Sequence, residues 1–151
     1  MLEGGKAPAQ QEEKRSPVKG LHILVVDDID VNRLILVKIL STLGAKCDTA
    51  SNGREAAEKF VDTPDGYDLI MMDVQMPEMN GYEATRAIRA SSHPLAKAVP
   101  IIAMTANAFV DDVRDAIDSG MDAHIAKPVQ VDKLKATVQQ VLDSRAAAEL
   151  P

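Results

Sequence analysis

Asp27 and Asp28 stand side by side at the end of the apolar run "HILVV". Adjacent carboxylates repel each other. A third acid brought close to them would force either raised pKa values or a bound cation. Asp73, which closes the run "DLIMMD", is that third acid if the two runs lie next to each other. Hard oxygen donors of this kind suit Mg2+, or Mn2+ in its place. Thr105 follows "IIAM" and Lys127 follows "AHIA". A cation, a carboxylate, a hydroxyl and a lysine together form a phosphoryl-transfer constellation. The cation and the ammonium neutralise phosphoryl oxygens, the hydroxyl donates a hydrogen bond, and one carboxylate attacks phosphorus. Asp73 suits the attacking role, because Pro77 and Gly81 shape an open turn after it.

These residues need elements that bring them together. Five short apolar segments read as strands: His22–Val26, Lys46–Ala50, Asp68–Met72, Pro100–Met104 and Ala123–Ala126. Each is followed by a stretch with helical spacing: Asn32–Leu43, Gly53–Val61, Gly81–Ala90, Phe109–Asp118 and Val131–Leu142. Five β–α repeats with near-continuous apolar strands predict a doubly wound parallel sheet, covered on both faces and joined by right-handed crossovers. In such a sheet the functional crevice lies beyond the carboxyl ends of the strands, where all five candidate residues fall. The second strand carries nothing distinctive at its end and reads as an edge.

Composition sets the outer bounds. The 151 residues suffice for one domain, with 46% hydrophobic and 26% charged residues. A net charge of −6 disfavours nucleic acid and anionic membrane surfaces as partners. No apolar run approaches the ~18 residues of a membrane span. The single cysteine, Cys47, excludes an internal disulfide and points to a reducing, cytoplasmic setting. It reads as a core-facing strand residue, and Met71, Met72, Met76 and Met79 read as core and loop packing. His22 and His93 read as surface or strand-edge residues. Residues 1–20 are polar and rich in Gly, Pro and charge, and read as a disordered tail or linker. The domain is expected over 21–144, with 145–151 as a C-terminal tail too short for an output domain.

At these positions the chain resembles the receiver domain of two-component response regulators. "VVDD", "MMDVQMPEMNGYEATRAIR", "IIAMTANA" and "GMDAHIAKPV" occur in that family's order and spacing. The resemblance implies the flavodoxin-like (βα)5 fold with strand order 2-1-3-4-5, the order for which that fold is the general example. It implies a signalling phosphoacceptor rather than an enzyme acting on a metabolite. Asp73 would be phosphorylated by a histidine kinase or a histidine phosphotransfer protein. Asp27, Asp28, Asp73 and the backbone carbonyl of Gln75 would hold Mg2+. Thr105 and Lys127 would contact the phosphoryl group, and Lys127–Pro128 would be a cis peptide bond. His124 stands where many receivers place an aromatic switch residue, paired with Thr105, and Ile29 replaces a more usual polar residue. "MPEMNGYEATRAIR" and "GMDAHIAKPV" lean towards receivers of hybrid histidine kinases, which serve phosphorelays.

Rival readings fit less well. A haloacid-dehalogenase-type phosphatase needs D-x-D-x-T/V, but Asp28-Ile29-Asp30-Val31 is followed by Asn32, and Asp73 would have no task. A flavin protein of the same fold is disfavoured by an acidic first loop, which repels phosphate. Leu34, Ile35, Leu36 and Val37 point to every side of the first helix, so some are expected to stay exposed as a dock for a helical partner. Strand alternation turns His124 away from Lys127, towards a face expected to change on phosphorylation and to serve a partner or a phosphorylation-dependent dimer. Gln75 and Asn107 flank the site.

Overall fold

A computed structural model describes residues 16–106 and 110–149. Asn107 and Phe109 lie outside the described residues. The chain alternates strands and helices throughout: β1 (His22–Val26), α1 (Asp30–Thr42), β2 (Lys46–Ala50), α2 (Gly53–Asp62), β3 (Leu69–Asp73), α3 (Gly81–Ala90), β4 (Ile101–Thr105), α4 (Val110–Ser119), β5 (Ala123–Ala126) and α5 (Val131–Glu149). The strands form one parallel sheet in the order β2-β1-β3-β4-β5, as expected.

Burial follows position in the sheet. Every residue of β3 and β4 is buried, whereas the edge strand β2 is buried only at Ala50. Alternate side chains of the central strands supply two cores. One, with Leu24, Val26, Ile70 and Ala103, is roofed by Phe60, Ala84, Ile88 and Ala116 of α2, α3 and α4. The other, with Ile23, Val25, Met71 and Ile102, is closed by Leu36 and Leu40 of α1 and by Leu134 and Val138 of α5. Met71, Met72 and Met76 are core residues, and Cys47 is half-buried against the second core.

Three expectations change. Residues 16–20 are not part of a tail, because Val18 is wholly buried in the second core and Gly20 N–H donates to the carbonyl of Gly44 at 2.9 Å. The remainder of the expected tail, residues 1–15, lies outside the described residues. At the other end, α5 runs on to Glu149 instead of stopping near Leu142. Its alanines are good helix formers, and Arg145 is tied to Asp122 and to the carbonyl of Lys97. His93 is buried, not superficial. Its ring packs on Phe60 with centroids 4.5 Å apart, Nε2 lies 2.8 Å from the carbonyl of Thr63, and Nδ1 accepts the N–H of Leu95. His22 is half-buried and lies 3.0 Å from Asp48, which also accepts the hydroxyl of Tyr67.

The amino ends of the strands are braced by charge. Arg89, in the last turn of α3, donates to the carbonyls of Ala96, Val99 and Gly120 and pairs with Asp122 at 3.1 Å. Asp122 also accepts the N–H of Ile101, so the loop before β5 is tied to β4.

Within α1 the burial contrast can be tested. Leu40 is fully buried and Leu34 is 68% exposed. Leu40→Ala is expected to cost about 2–5 kcal/mol in urea unfolding, and Leu34→Ala no more than about 0.5 kcal/mol.

Candidate phosphoacceptor site

The strand order places β1 beside β3, with Val26 opposite Met72. The residues that follow, Asp27 and Asp73, therefore sit side by side. Both are buried, while Asp28 is half-buried. One carboxylate oxygen from each of Asp27, Asp28 and Asp73 lies within 4.8 Å of the others. Thr105 ends β4 one residue past the partner of Asp73 and is also buried. Lys127 follows β5, and its backbone N–H donates to the carbonyl of Thr105 at 2.8 Å. The sheet thus brings together all five residues predicted to do the chemistry.

Lys127 makes the crowding tolerable. Its ammonium lies 3.0 Å from Asp73 Oδ1 and 3.1 Å from Asp27 Oδ2, bridging two of the three acids. Burial acts to lower the lysine's pKa, but the hydrogen bonds and charges of Asp73 and Asp27 outweigh it and raise it. On Asp73, burial is the largest influence. The hydrogen bond from Lys127 opposes it, the charge of Asp27 reinforces it, and the balance puts the carboxyl at about 6. Asp73 Oδ1 also accepts the N–H of Gln75 at 3.2 Å. Asp73 Oδ2 is buried with no hydrogen-bond partner. An orphaned buried carboxylate oxygen is costly unless a cation or other ligand completes it. The donor set fits a hard divalent ion: this orphaned oxygen and two neighbouring carboxylates, all oxygen.

The loops hold these groups from behind. Asp27 Oδ1 accepts the N–H of Ile29 at 2.9 Å, which folds the acidic loop back on itself. After β3, Glu78 adopts a left-handed conformation with φ +67°. Asn80 then starts α3 through a capping box with Glu83. A Cβ at Gly81 would stand 2.3 Å from the carbonyl oxygen of Asp73, so only glycine lets α3 begin against the Asp73 backbone. The Lys127–Pro128 peptide bond is cis.

Around the site, Gln75 is exposed, with its N–H turned to Asp73. His124 is half-buried and registers with Ala103, whose side chain belongs to the core under α2, α3 and α4. Its neighbour Ile125 belongs to the opposite core, so His124 and Lys127 face different ways. Sequence reasoning missed Arg33. Its Nη1 donates to the backbone carbonyl of Asp27 at 2.6 Å and its Nη2 pairs with Asp30. The visible signal was a basic residue one helical turn beyond the acids.

Known proteins resemble the chain over most of its length. The model of the response regulator receiver domain matches residues 23–139, and the chain belongs to that family. It is 42% identical over 130 residues to probable histidine kinase 2 of Oryza sativa subsp. indica, covering 78% of this chain and 12% of that protein. With hybrid signal transduction histidine kinase L of Dictyostelium discoideum, identity is 38% over 133 residues, covering 86% of this chain and 8% of the relative. The chain thus spans about a tenth of these relatives' length. Among solved structures, the receiver domain of a sensor histidine kinase of Pseudomonas aeruginosa PAO1 carries a magnesium ion in its active-site cleft. It matches with TM-score 0.73 and 35% identity over 82% of this chain and 98% of that one. The receiver domain of the histidine kinase CKI1 of Arabidopsis thaliana, complexed with Mg2+ and BeF3−, matches with TM-score 0.75 and 27% identity over 89% and 97%. The chain is therefore a receiver domain of the two-component and phosphorelay class, homologous to those of hybrid histidine kinases. No described helix is long and apolar enough to cross a membrane.

The raised Asp73 pKa has a stability consequence. Its folded value of about 6 lies above the ordinary carboxylate value, so between pH 4 and 6 the folded state binds more protons than the unfolded one. Stability without divalent ions should fall as pH rises through that window. Asp73→Asn should remove this dependence and raise urea stability at pH 7, by up to about 3 kcal/mol.

Proposed function

We propose that this domain accepts a phosphoryl group on Asp73 from phosphohistidine of a histidine kinase or phosphotransfer protein, and passes the signal on by a change of conformation. The observation that carries the reading is the buried, unpartnered Oδ2 of Asp73 inside a three-carboxylate cluster, with Lys127 bound to the other oxygen. In transfer, a carboxylate oxygen of Asp73 attacks phosphorus. The O–P bond forms as the P–N bond to the donor imidazole breaks, and the electron pair stays on the leaving nitrogen, which ends protonated. Lys127 would shift from Asp73 to a phosphoryl oxygen, and Thr105 would donate its hydroxyl there. Asp27, Asp28, Asp73 and the carbonyl of Gln75 would hold Mg2+ or Mn2+, which supplies charge neutralisation at the phosphoryl oxygens. His124 would follow Thr105 as the switch, reshaping the α4–β5 surface for a partner or a dimer. A reducing, cytoplasmic setting accords with the free Cys47 and with this donor class.

The donor's docking surface is read from α1. Of the four consecutive apolar residues expected to compete for burial, Leu36 is buried and Val37 half-buried, while Leu34 and Ile35 are exposed. Ile29 and Val31 are exposed beside them. A groove of about 340 Å³ is lined by Ile35 of this patch, by Leu36, Ile39, Pro128 and Val129, and by Asp27 and Lys127. An apolar helix face laid there would bring its histidine to the carboxylates.

Two measurements check this. Labelling by acetyl phosphate should require a divalent ion and vanish in Asp73→Asn, while Asp27→Asn only weakens it. Full labelling of the Asp73 variant at another residue would refute the assignment. Leu34→Gln should slow transfer from a phosphorylated partner about tenfold, as expected for losing one apolar anchor of an interface, and leave acetyl phosphate labelling unchanged. Equal loss with both donors would place the defect in folding rather than docking.

A further inference from the structure

Arg33 lies in the first turns of α1 yet does not extend into solvent. Its side chain is only 18% exposed and reaches back over the acidic loop. One guanidinium nitrogen holds the backbone carbonyl of Asp27 at 2.6 Å and another holds the Asp30 carboxylate. Between these anchors the chain runs Asp27-Asp28-Ile29-Asp30 and carries two of the three clustered carboxylates. The only other side-chain tie described within this span is the acceptance of the Ile29 N–H by Asp27 Oδ1 at 2.9 Å, and the N-cap residue, Ile29, has no side-chain cap of its own. The forked guanidinium therefore clamps the end of β1 to the first turn of α1. A lysine there would keep the charge but could not grip both groups in this planar geometry.

We propose that Arg33 is a positioning residue for the acid pair, holding the backbone from which Asp27 and Asp28 project towards Asp73. The inference rests on the reading of these carboxylates as a divalent-metal site. Arg33 affects that site in two opposed ways. Its positive charge, close to the acids, weakens their attraction for a dication. Its clamp orders the loop in advance, so less freedom is lost when a metal is bound. Groups that orient metal ligands from behind typically contribute ~10–100-fold to affinity. If the clamp dominates, removing Arg33 loosens metal binding; if charge dominates, removal tightens it. The sign of the change decides.

The test is a Mg2+ titration of the full chain, followed by NMR or calorimetry, for wild type, Arg33→Lys and Arg33→Ala, with urea unfolding measured alongside in metal-free buffer. Arg33→Lys isolates the clamp because it keeps the charge. Its Mg2+ Kd should rise about tenfold or more, with a urea midpoint close to wild type. Acetyl phosphate labelling should be slow at limiting Mg2+ and recover at saturation. A merely structural role would lower the urea midpoint and leave no recovery with Mg2+. An unchanged Kd in Arg33→Lys, or tighter binding in Arg33→Ala, would overturn the proposal, and Arg33→Lys decides if Arg33→Ala does not fold. Wild type that neither binds Mg2+ nor labels on Asp73 would overturn the metal-site reading, and this inference with it. Normal wild-type binding with no effect of Arg33→Lys would overturn the role of Arg33 alone.

Discussion

Three carboxylates crowded at the end of a buried sheet would drive one another to take up protons or move apart, unless a positive charge stood among them. Lys127 supplies that charge, and the topology is what delivers it. Parallel order puts β1 beside β3, so Asp27 and Asp73 are neighbours, while β4 separates β3 from β5. Lys127 reaches over the end of β4 to Asp73 and over the end of β3 to Asp27, touching both acids. Its backbone N–H is fixed on Thr105, so the long lysine stem starts from an anchored point. The same contact leaves one oxygen of Asp73 uncommitted. Asp73 is held, yet not fully satisfied.

Behind Asp73 the backbone has no slack. Gly81 starts α3 against the carbonyl of Asp73, and Gly81 N–H bonds the carbonyl of Val74 at 2.9 Å. A helix joined this closely to Asp73 does not shift without moving it. The exposed side of the site differs in kind: Ile29, Val31, Leu34 and Ile35 form an apolar patch in open solvent. Close backbone packing thus lies under Asp73, while exposed apolar side chains lie on the helix that follows the acid pair.

Much of this was legible because buried parallel strands are nearly continuous apolar runs, and the polar residue that ends each run is conspicuous. The boundaries moved by a residue where pairing outlasts hydrophobicity. Asp73 and Thr105 end their strands, and Val74 N–H still bonds the carbonyl of Met104. Other features left little trace. Val18 is one apolar residue in a polar stretch, with no period to betray its burial. The nitrogens of His93 meet the carbonyl of Thr63 and the N–H of Leu95, and every residue type offers such backbone groups. Arg33 escaped notice for a similar reason, since one of its two partners is a peptide carbonyl. The extension of α5 was hidden by alanines, which read equally as a fraying end or as good helix formers.

The direction in which the chain enters and leaves the fold has a practical meaning. Gly20 bonds Gly44 at the amino ends of β1 and β2, just after the buried Val18, and Arg145 is fastened to Asp122 ahead of β5. Both junctions thus lie at the pole opposite the carboxylates. A tether or a further domain spliced on at either side would hang from that pole, leaving the approach to Asp73 open. The fold is thus fastened to its chain at one end and carries its carboxylates at the other.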